Sequence, residues 1–239
     1  MKIIGKVLTA SFALEVRDLK GISNDSVGKH LTEKDPVPGF EVLTWNEFLK
    51  DVINLAYKFQ EIEFDAIIAI ARGGLVIARL LSDLTAVKKI YSLHVEYYTG
   101  PNSRGSEPHL KEEFSQPIGA TQVIVVDDIV DTGKTMQLAL NYLRRRGFKK
   151  LLTLSVYLKP WSQFTPDYYS RVVNRWVVFP YEHFETAVAL FKQGYSMEDL
   201  MKIGLEPAVL ERLARMVAGR KANLEDLEGF RGSRWSLLV

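Results

Sequence analysis

Short apolar segments alternate with amphipathic helical segments along most of the chain, and this alternation restricts the possible folds more than any other feature. Ala66–Ala71 and Gln122–Val126 are mostly apolar runs, too short for a typical helix, and each is followed by a turn and a helical pattern. Similar runs at Ile90–Val95, Leu151–Tyr157 and Arg175–Val178 predict further strands. Continuous apolar strands are typical of parallel sheets whose two faces are covered by helices. The pattern therefore predicts an α/β fold with a mostly parallel central sheet flanked by helices.

The alternation also divides the chain into three regions. Residues 1–40 form an N-terminal extension with strand-like segments at Lys2–Leu8 and Ser11–Val16. Residues 41–182 contain the strand–helix alternation and are expected to form the core domain. Residues 183–239 are expected to form a helical C-terminal extension.

Capping signals mark the ends of several helices. Thr44, followed three residues later by Glu47, has the pattern of a capping box and predicts a helix that begins after Thr44. In the C-terminal region Ser196 is expected to cap one short helix, which Gly204 ends, and Pro207 to open another.

Composition excludes several classes of protein. The 31 lysines and arginines against 29 acidic residues leave a net charge of +2, so neither nucleic acid nor an anionic membrane is an expected partner. Without cysteine there are no disulfides, thiol nucleophiles or cysteine-ligated metal sites. No apolar run approaches the roughly 18 residues that span a bilayer. Met1–Ala10 lacks the apolar segment of a signal peptide, so we expect a cytoplasmic protein.

The segment Val123–Thr135, VIVVDDIVDTGKT, contains the strongest functional signal. Its turn and the helix that follows offer backbone N–H groups to a phosphate, and Thr132 and Thr135 add hydroxyl donors. Asp127 and Asp128 can accept hydrogen bonds from a sugar diol or hold Mg²⁺. A phosphate site beside a diol or metal site suits a ribose 5-phosphate.

Two other interpretations of this segment explain less. Gly133–Thr135 resembles the end of a nucleotide-binding P-loop, but the first glycine of that motif would fall at Asp128, whose carboxylate would repel a nucleoside triphosphate. An ordinary strand, turn and helix would not require the three acids Asp127, Asp128 and Asp131. Neighbouring like charges are costly unless a ligand or cation uses them.

The acidic pair and the DTGxT loop at Asp127–Thr135 resemble the signature of the type I phosphoribosyltransferases. The resemblance implies that fold, with a small hood and a flexible loop, and a site for phosphoribosyl pyrophosphate (PRPP). It implies that Asp127 and Asp128 bind the ribose hydroxyls, with Asp128 also near Mg²⁺. Asp131 would be the general acid or base at N7 of a purine. The residues that wrap the 5′-phosphate would be Asp131, Thr132, Gly133, Lys134 and Thr135.

The segment Ala71–Gly74, ARGG, resembles the pyrophosphate loop of bacterial xanthine-guanine phosphoribosyltransferase. Arg72 would supply positive charge, and Gly73 and Gly74 would let backbone N–H groups approach the leaving group. The family further implies a cis peptide bond between Ala71 and Arg72. The alternative interpretation of this segment is a glycine-rich turn with a solvent-exposed arginine.

Two later segments resemble the base site of the same enzyme. Leu158-Lys159-Pro160 implies that Lys159 donates to a purine 6-oxo group. In WVVFPYE the resemblance implies that Trp176 stacks on the purine and that Val177 offers backbone groups to its edge. Glu182 stands where the family places an acid near a second metal, but that acid is usually Asp. The alternatives are a solvated lysine and a half-buried core tryptophan.

The polar segment His94–Glu113 is expected to be a mobile lid that excludes water, in the place of the family's flexible loop. Glu96–Tyr98 stands where many relatives have a Ser-Tyr pair. His94 and His109 are expected to be solvated loop residues rather than metal ligands, because no carboxylate accompanies them at a recognised spacing.

Trp45-x-x-Phe48 together with Ile70–Asp83 resembles archaeal 6-oxopurine phosphoribosyltransferases. The resemblance implies a homodimeric purine salvage enzyme with Mg²⁺ as cofactor, which transfers 5-phosphoribosyl from PRPP to N9 of hypoxanthine, guanine or xanthine. The alternative is a regulator that senses PRPP or a nucleotide, with a helix-turn-helix at Met197–Val217. The low net charge and the acidic Glu198-Asp199 pair argue against DNA binding.

Overall fold

A computed structural model describes residues 39–59, 61–97, 108–112 and 119–219. The strand-like segments expected at Lys2–Leu8 and Ser11–Val16 and most of the polar C-terminal stretch lie outside these residues. The strands are β1 (Phe40–Val42), β2 (Ala66–Ala71), β3 (Ile90–Tyr97), β4 (Pro108–Glu112), β5 (Gln122–Val130), β6 (Lys150–Leu158), β7 (Tyr168–Val172) and β8 (Trp176–Val178). The helices are α1 (Trp45–Lys58), α2 (Gly73–Thr85), α3 (Lys134–Arg145), α4 (His183–Lys192), α5 (Met197–Ile203) and α6 (Pro207–Gly219).

Within the described residues, six strands form the central sheet in the order β4-β3-β2-β5-β6-β7, and all neighbours are parallel except β3 and β4. Alternate residues of the central strands face opposite sides. Ile67 and Ile124 pack with α1 and α2 on one face, whereas Ile68 and Val125 pack with α3 on the other. The predicted α/β fold with a mostly parallel sheet is therefore confirmed.

Helix boundaries follow the predicted capping signals. The Thr44 side chain accepts from the N–H of Glu47, whose carboxylate accepts from the N–H of Thr44 at 2.8 Å. Ser196 makes the equivalent box with Asp199, and Gly204 ends α5 in the left-handed conformation, at φ 92°. These caps replace hydrogen bonds that a helix end cannot make for itself, which is why short local patterns predict them.

Two parts of the sheet differ from the sequence expectation. β8, expected as a fifth strand, pairs with β1 in a separate two-stranded parallel sheet. The edge position beside β6 belongs instead to β7, which the sequence analysis did not identify. Residues of β7 are half-buried or exposed, because an edge strand is covered incompletely, so the segment lacks the apolar run that marked the other strands.

The segment His94–Glu113, expected as a lid, is strand at both described ends. Tyr97 pairs with Pro108 and Glu96 with His109 in an antiparallel arrangement, so β3 and β4 extend into the predicted loop. Lys111 donates to Glu96 at 2.8 Å and lowers the pKa of its carboxyl. Cross-strand pairing of opposite charges explains why a polar sequence forms strands here. Residues 98–107 lie outside the described residues.

The C-terminal helices pack against the core domain. α4, α5 and α6 share a third apolar cluster with Phe40 and Val178 of the two-stranded sheet. Leu200, Ile203 and Leu213 are buried in this cluster. The amphipathic pattern of these helices is thus explained by packing within the chain. No helix among the described residues has the length and apolar character needed to cross a membrane.

His183 connects this cluster to the core. Its Nε2–H lies 3.2 Å from the carbonyl oxygen of Leu43, and its Nδ1 accepts from the N–H of Glu206 at 3.2 Å. The neutral imidazole satisfies both partners, whereas the protonated ring would lose the bond from Glu206. Burial lowers the pKa of His183 from its ordinary 6.5.

Acidification from pH 7.5 to 5.5 is expected to reduce the free energy of unfolding through His183. The unfolded chain takes up a proton near the ordinary pKa, while the folded imidazole resists it, so stability is complete above that pKa and decreases below it. Chemical denaturation at both pH values measures the change. His183→Gln keeps a donor and an acceptor and should weaken the pH dependence, whereas the exposed His109→Gln should retain it. Equal pH dependence in wild type and His183→Gln would show that His183 does not contribute.

Candidate active site

The carboxyl ends of β2 and β5 define a crevice at the centre of the sheet. β2 leads through α2 to β3 on one side, while β5 leads through α3 to β6 on the other. The loops that follow β2 and β5 therefore separate at a topological switch point, where open parallel sheets bind ligands. Both motifs singled out in the sequence, Ala71–Gly74 and Asp127–Thr135, lie at this point.

The acidic pair lies within β5, which continues to Val130 rather than ending before Asp127. Asp128 is only 4% exposed. Its Oδ1 accepts from the N–H of Ile129 at 2.7 Å, and its Oδ2 accepts from the hydroxyl of Tyr181 at 3.1 Å. Asp127 accepts from the N–H of Asp128 at 2.9 Å and is less buried.

Aromatic packing holds the Tyr181 hydroxyl against Asp128. The ring of Tyr181 stacks on Phe179, with centroids 5.3 Å apart, and meets Phe48 edge-on at 5.7 Å. Trp45 contacts the same ring at 6.2 Å. Trp45 and Phe48, which the family resemblance singled out, therefore help to hold Tyr181 against Asp128.

The predicted phosphate loop, Asp131–Thr135, turns directly into α3. Gly133 adopts φ 88°, which favours glycine, and precedes the first helical residue, Lys134. The first backbone N–H groups of a helix have no acceptor within it, so the start of α3 can bind an anion. The N–H of Gln163 donates to the carbonyl oxygen of Thr132 at 3.2 Å and fixes the loop from the side of β6.

The predicted pyrophosphate loop begins with a cis peptide bond between Ala71 and Arg72, as the family resemblance implies. The Arg72 side chain is 69% exposed, yet Nη2 contacts Glu185 Oε2 at 2.7 Å and Oε1 at 3.0 Å. Arg72 is therefore paired with α4, although most of its side chain is exposed to solvent. A guanidinium has five N–H donors, so this contact uses only part of its capacity. No local pattern in the sequence identifies Glu185 as a residue of this loop.

The glycines of this loop bring it into contact with β5. A Cβ atom on Gly73 would overlap the carboxylate of Asp128, and a Cβ atom on Gly74 would overlap the carbonyl oxygen of Val126. The two predicted motifs are therefore packed against each other through residues that have no side chain.

Gly73→Ala is expected to weaken the binding of PRPP, whereas Gly74→Ala is expected to lower the stability of the fold. In Gly73→Ala the methyl group displaces the side chain of Asp128, which is predicted to bind the ribose of PRPP. The protein should therefore fold while its affinity for PRPP falls at least about tenfold, the loss of one charge-assisted contact. In Gly74→Ala the methyl group meets the backbone of Val126, which cannot rotate away, and stability should fall by about 1–3 kcal/mol. Denaturation and PRPP titration of both variants measure the two effects. Loss of stability in Gly73→Ala with unchanged affinity for PRPP would contradict this assignment.

Lys159 lies beside the crevice, at the end of β6. Its backbone N–H donates to the carbonyl oxygen of Val130 at 2.9 Å, and the residue is 6% exposed. The Nζ atom donates to the carbonyl oxygen of Arg175, directly before Trp176. Lys159 is therefore not the solvated lysine of the alternative interpretation.

Trp161 also belongs to this region, although the sequence analysis did not single it out. Its indole N–H donates to Asp131 Oδ1 at 2.7 Å, and its ring lies 5.2 Å from Lys159 Nζ. The only available signal was its place two residues after Lys159.

The remaining predicted base-site residues have structural contacts of their own. Trp176 is half-buried against the third apolar cluster. Val177 is buried and lies opposite Glu41 in the two-stranded sheet. The roles predicted for both residues toward a purine stay predictions.

Asp127, Asp128 and Glu182 are the predicted carboxylates around Mg²⁺. Among the described residues no group of at least three histidines or acids could hold a metal on its own. Mg²⁺ commonly keeps water ligands and uses one or two carboxylates together with substrate phosphates. Asp127 and Asp128 fit that arrangement. Glu182 precedes α4 and donates its N–H to Phe179 at 2.9 Å, and its predicted place near a second metal stays a prediction.

Comparisons with known proteins agree with this geometry. The model of the phosphoribosyl transferase domain family matches residues 40–186. Xanthine-guanine phosphoribosyltransferase of Gluconobacter oxydans is 30% identical over 150 residues, which cover 60% of this chain and 84% of that protein. The enzyme of the same name from a Ruegeria species is 25% identical over 169 residues, which cover 64% of this chain and 93% of its own. The chain also resembles the crystal structure of a purine phosphoribosyltransferase from Pyrococcus horikoshii, with a TM-score of 0.55 and 31% sequence identity. The match covers 60% of this chain and 93% of that one.

Proposed function

Because the chain belongs to the phosphoribosyltransferase family, we propose that it is a purine salvage enzyme. It transfers the 5-phosphoribosyl group of PRPP to N9 of hypoxanthine, guanine or xanthine, giving the nucleoside 5′-monophosphate and pyrophosphate. The observation that carries the proposal is the packing of Gly73 against Asp128. It supports a single crevice that takes the leaving pyrophosphate and the ribose at the same time.

Each part of PRPP has a candidate partner in this crevice. Asp127 and Asp128 accept hydrogen bonds from the ribose hydroxyls. The backbone N–H groups of Thr132–Thr135 bind the 5′-phosphate at the start of α3. Arg72 and the backbone N–H groups of Gly73 and Gly74 bind the pyrophosphate, since a guanidinium forms strong charge-assisted bonds to phosphate oxygens.

Mg²⁺ is the proposed cofactor, held by Asp128 and Asp127 together with the substrate. When bound, it neutralises part of the negative charge that develops on the departing pyrophosphate. Asp128 is suited to this role because Tyr181 and the N–H of Ile129 fix its carboxylate before any ligand arrives.

In the reaction the bond from C1′ to the pyrophosphate oxygen breaks and the bond from C1′ to N9 of the base forms. Positive charge builds up on the ribose during this exchange, so catalysis depends mainly on positioning and electrostatic stabilisation. As the bond to N9 forms, the purine loses a proton from N7, and the carboxylate of Asp131 accepts it. The place of Asp131 between β5 and α3 supports that role.

The base site is proposed to use Lys159, Trp176 and Val177. Lys159 donates to the 6-oxo group, Trp176 stacks on the ring, and Val177 offers backbone groups to its edge. The bond from Lys159 to the carbonyl of Arg175 supports a common site, because it ties the donor to the residue beside Trp176.

A homodimer and a cytoplasmic location complete the proposal. Light scattering on the purified protein would measure the oligomeric state directly, and a monomeric mass would overturn the dimer. The predicted location stays a prediction.

The central test measures nucleotide formation from PRPP with each purine base, in the presence of Mg²⁺ and after its removal with a chelator. We expect turnover of at least one 6-oxopurine that stops on chelation and returns with added Mg²⁺. Binding of PRPP without turnover of any purine would favour the alternative, a regulator that senses PRPP or a nucleotide. Turnover unaffected by the chelator would overturn only the cofactor assignment.

A further inference from the structure

The loop after β6 folds back onto the phosphate loop. Besides the bond from Gln163 to Thr132, the N–H of Ser162 donates to the carbonyl oxygen of Lys159 at 3.1 Å and closes a tight turn. A Cβ atom on Gly133 would overlap Phe164, so the two loops are in direct contact. The turn is therefore held in one place relative to the phosphate loop.

The side chain of Trp161 extends from this turn to Asp131. Trp161 is 56% exposed, and an exposed tryptophan needs no explanation by itself. Here, however, its N–H donates to a carboxylate at 2.7 Å, and a bond from a neutral donor to a charged acceptor is stronger than a bond between neutral groups. The bond occupies Oδ1 of Asp131 and restricts the rotation of its carboxyl group.

The same indole covers Lys159. The Nζ atom lies 5.2 Å from the centre of the Trp161 ring, within the range of a cation–π interaction. One side chain thus contacts two groups that follow different strands, β5 and β6. These are the proposed acid or base at N7 and the proposed donor to the 6-oxo group.

We propose that Trp161 is a positioning residue of the purine site, which holds the Asp131 carboxylate through its N–H and covers the Lys159 ammonium with its ring. N7 and the 6-oxo group are neighbours on the same edge of a purine, so their two protein partners must keep a fixed separation. Trp161 sets that separation. This inference rests on the proposed function, because it assigns Trp161 a part in the same reaction.

The test compares Trp161→Phe, which keeps the ring and removes the donor, with Trp161→Ala, which removes both. Trp161→Phe is expected to lower kcat about tenfold, the loss of one charge-assisted hydrogen bond, with KM for the base within twofold of wild type. Trp161→Ala should in addition raise KM for the base, because Lys159 loses its cover. The control is Tyr57→Ala, which removes an exposed aromatic side chain of α1 and should leave both parameters unchanged.

A double variant separates positioning from a general structural effect. If Trp161 acts through Asp131, Trp161→Phe should change kcat less than twofold in a protein that already carries Asp131→Asn. Additive losses in the double variant would overturn the proposal. Such additivity in an active protein leaves the proposed function intact, whereas a wild-type protein without turnover of any purine would overturn both.

The hydrogen bond itself can be measured without activity. The chain has four tryptophans, and the indole N–H signal of Trp161 in a ¹⁵N–¹H spectrum is identified by its loss in Trp161→Phe. Asp131→Ala should move this signal toward the position of a solvated indole and leave the other three in place. An unmoved signal would show that the contact is absent and overturn the proposal.

Discussion

Replacement of Asp131 by Asn is expected to lower kcat by about 10²–10⁴-fold, the range over which a general acid or base contributes. The amide keeps the shape of the carboxylate and can still accept from the Trp161 indole, but it cannot exchange a proton with N7 of the purine. KM for PRPP should change much less than kcat. Steady-state rates with saturating PRPP and a 6-oxopurine give both parameters.

The matched control for this variant is Asp83→Asn. Asp83 is an exposed acid at the end of α2 that pairs with Arg79 at 3.6 Å, away from the crevice. The control should therefore retain the activity of the wild type. A kcat for Asp131→Asn within a factor of two of wild type would remove Asp131 from the role of acid or base.

Adenine is expected to be used about 10²–10⁴-fold less efficiently than the preferred 6-oxopurine, measured as kcat/KM. Its 6-amino group is a donor, so it would face the ammonium donor of Lys159 in the proposed base site and leave Lys159 without an acceptor from the base. The bond from Lys159 to the carbonyl of Arg175 restricts the ammonium, which reduces its ability to turn away from the amino group.

Lys159→Gln tests whether this residue sets the preference. A side-chain amide offers either a donor or an acceptor to the base, so the ratio of kcat/KM between the 6-oxopurine and adenine should shrink at least about tenfold. Lys150→Gln, an exposed substitution at the start of β6, should keep the ratio of the wild type. Comparable efficiency of wild type with adenine and guanine would refute the role of Lys159.

The sequence identified the two loops that meet at the crevice because their signals are local. An apolar run, the acids that follow it and a glycine turn stand next to one another in the chain at Val123–Thr135. The capping box of Thr44 and Glu47 spans only three residues. Patterns of this length predict where strands end and helices begin, because the backbone geometry at these points depends on residues adjacent in the sequence.

The sequence did not predict the contacts between loops, because these join residues far apart in the chain. Trp161 meets Asp131 across 30 residues of chain, and Arg72 meets Glu185 across 113. Neither Trp161 nor Glu185 stands in a local pattern that distinguishes it from an ordinary surface residue. Their functions depend on which strands become neighbours, and strand order is decided by the packing of the whole sheet.

By itself, the sequence determined the α/β alternation, the positions of most strands and helix ends, and the two loops that meet at the crevice. Only the tertiary structure decided that β7 completes the sheet, that β8 pairs with β1, and that Trp161 and Glu185 reach the crevice. The physical reason is how far apart in the sequence the interacting residues lie. Periodicity and capping are satisfied within a few residues, whereas burial at a sheet edge and contacts between loops exist only after distant segments have packed together.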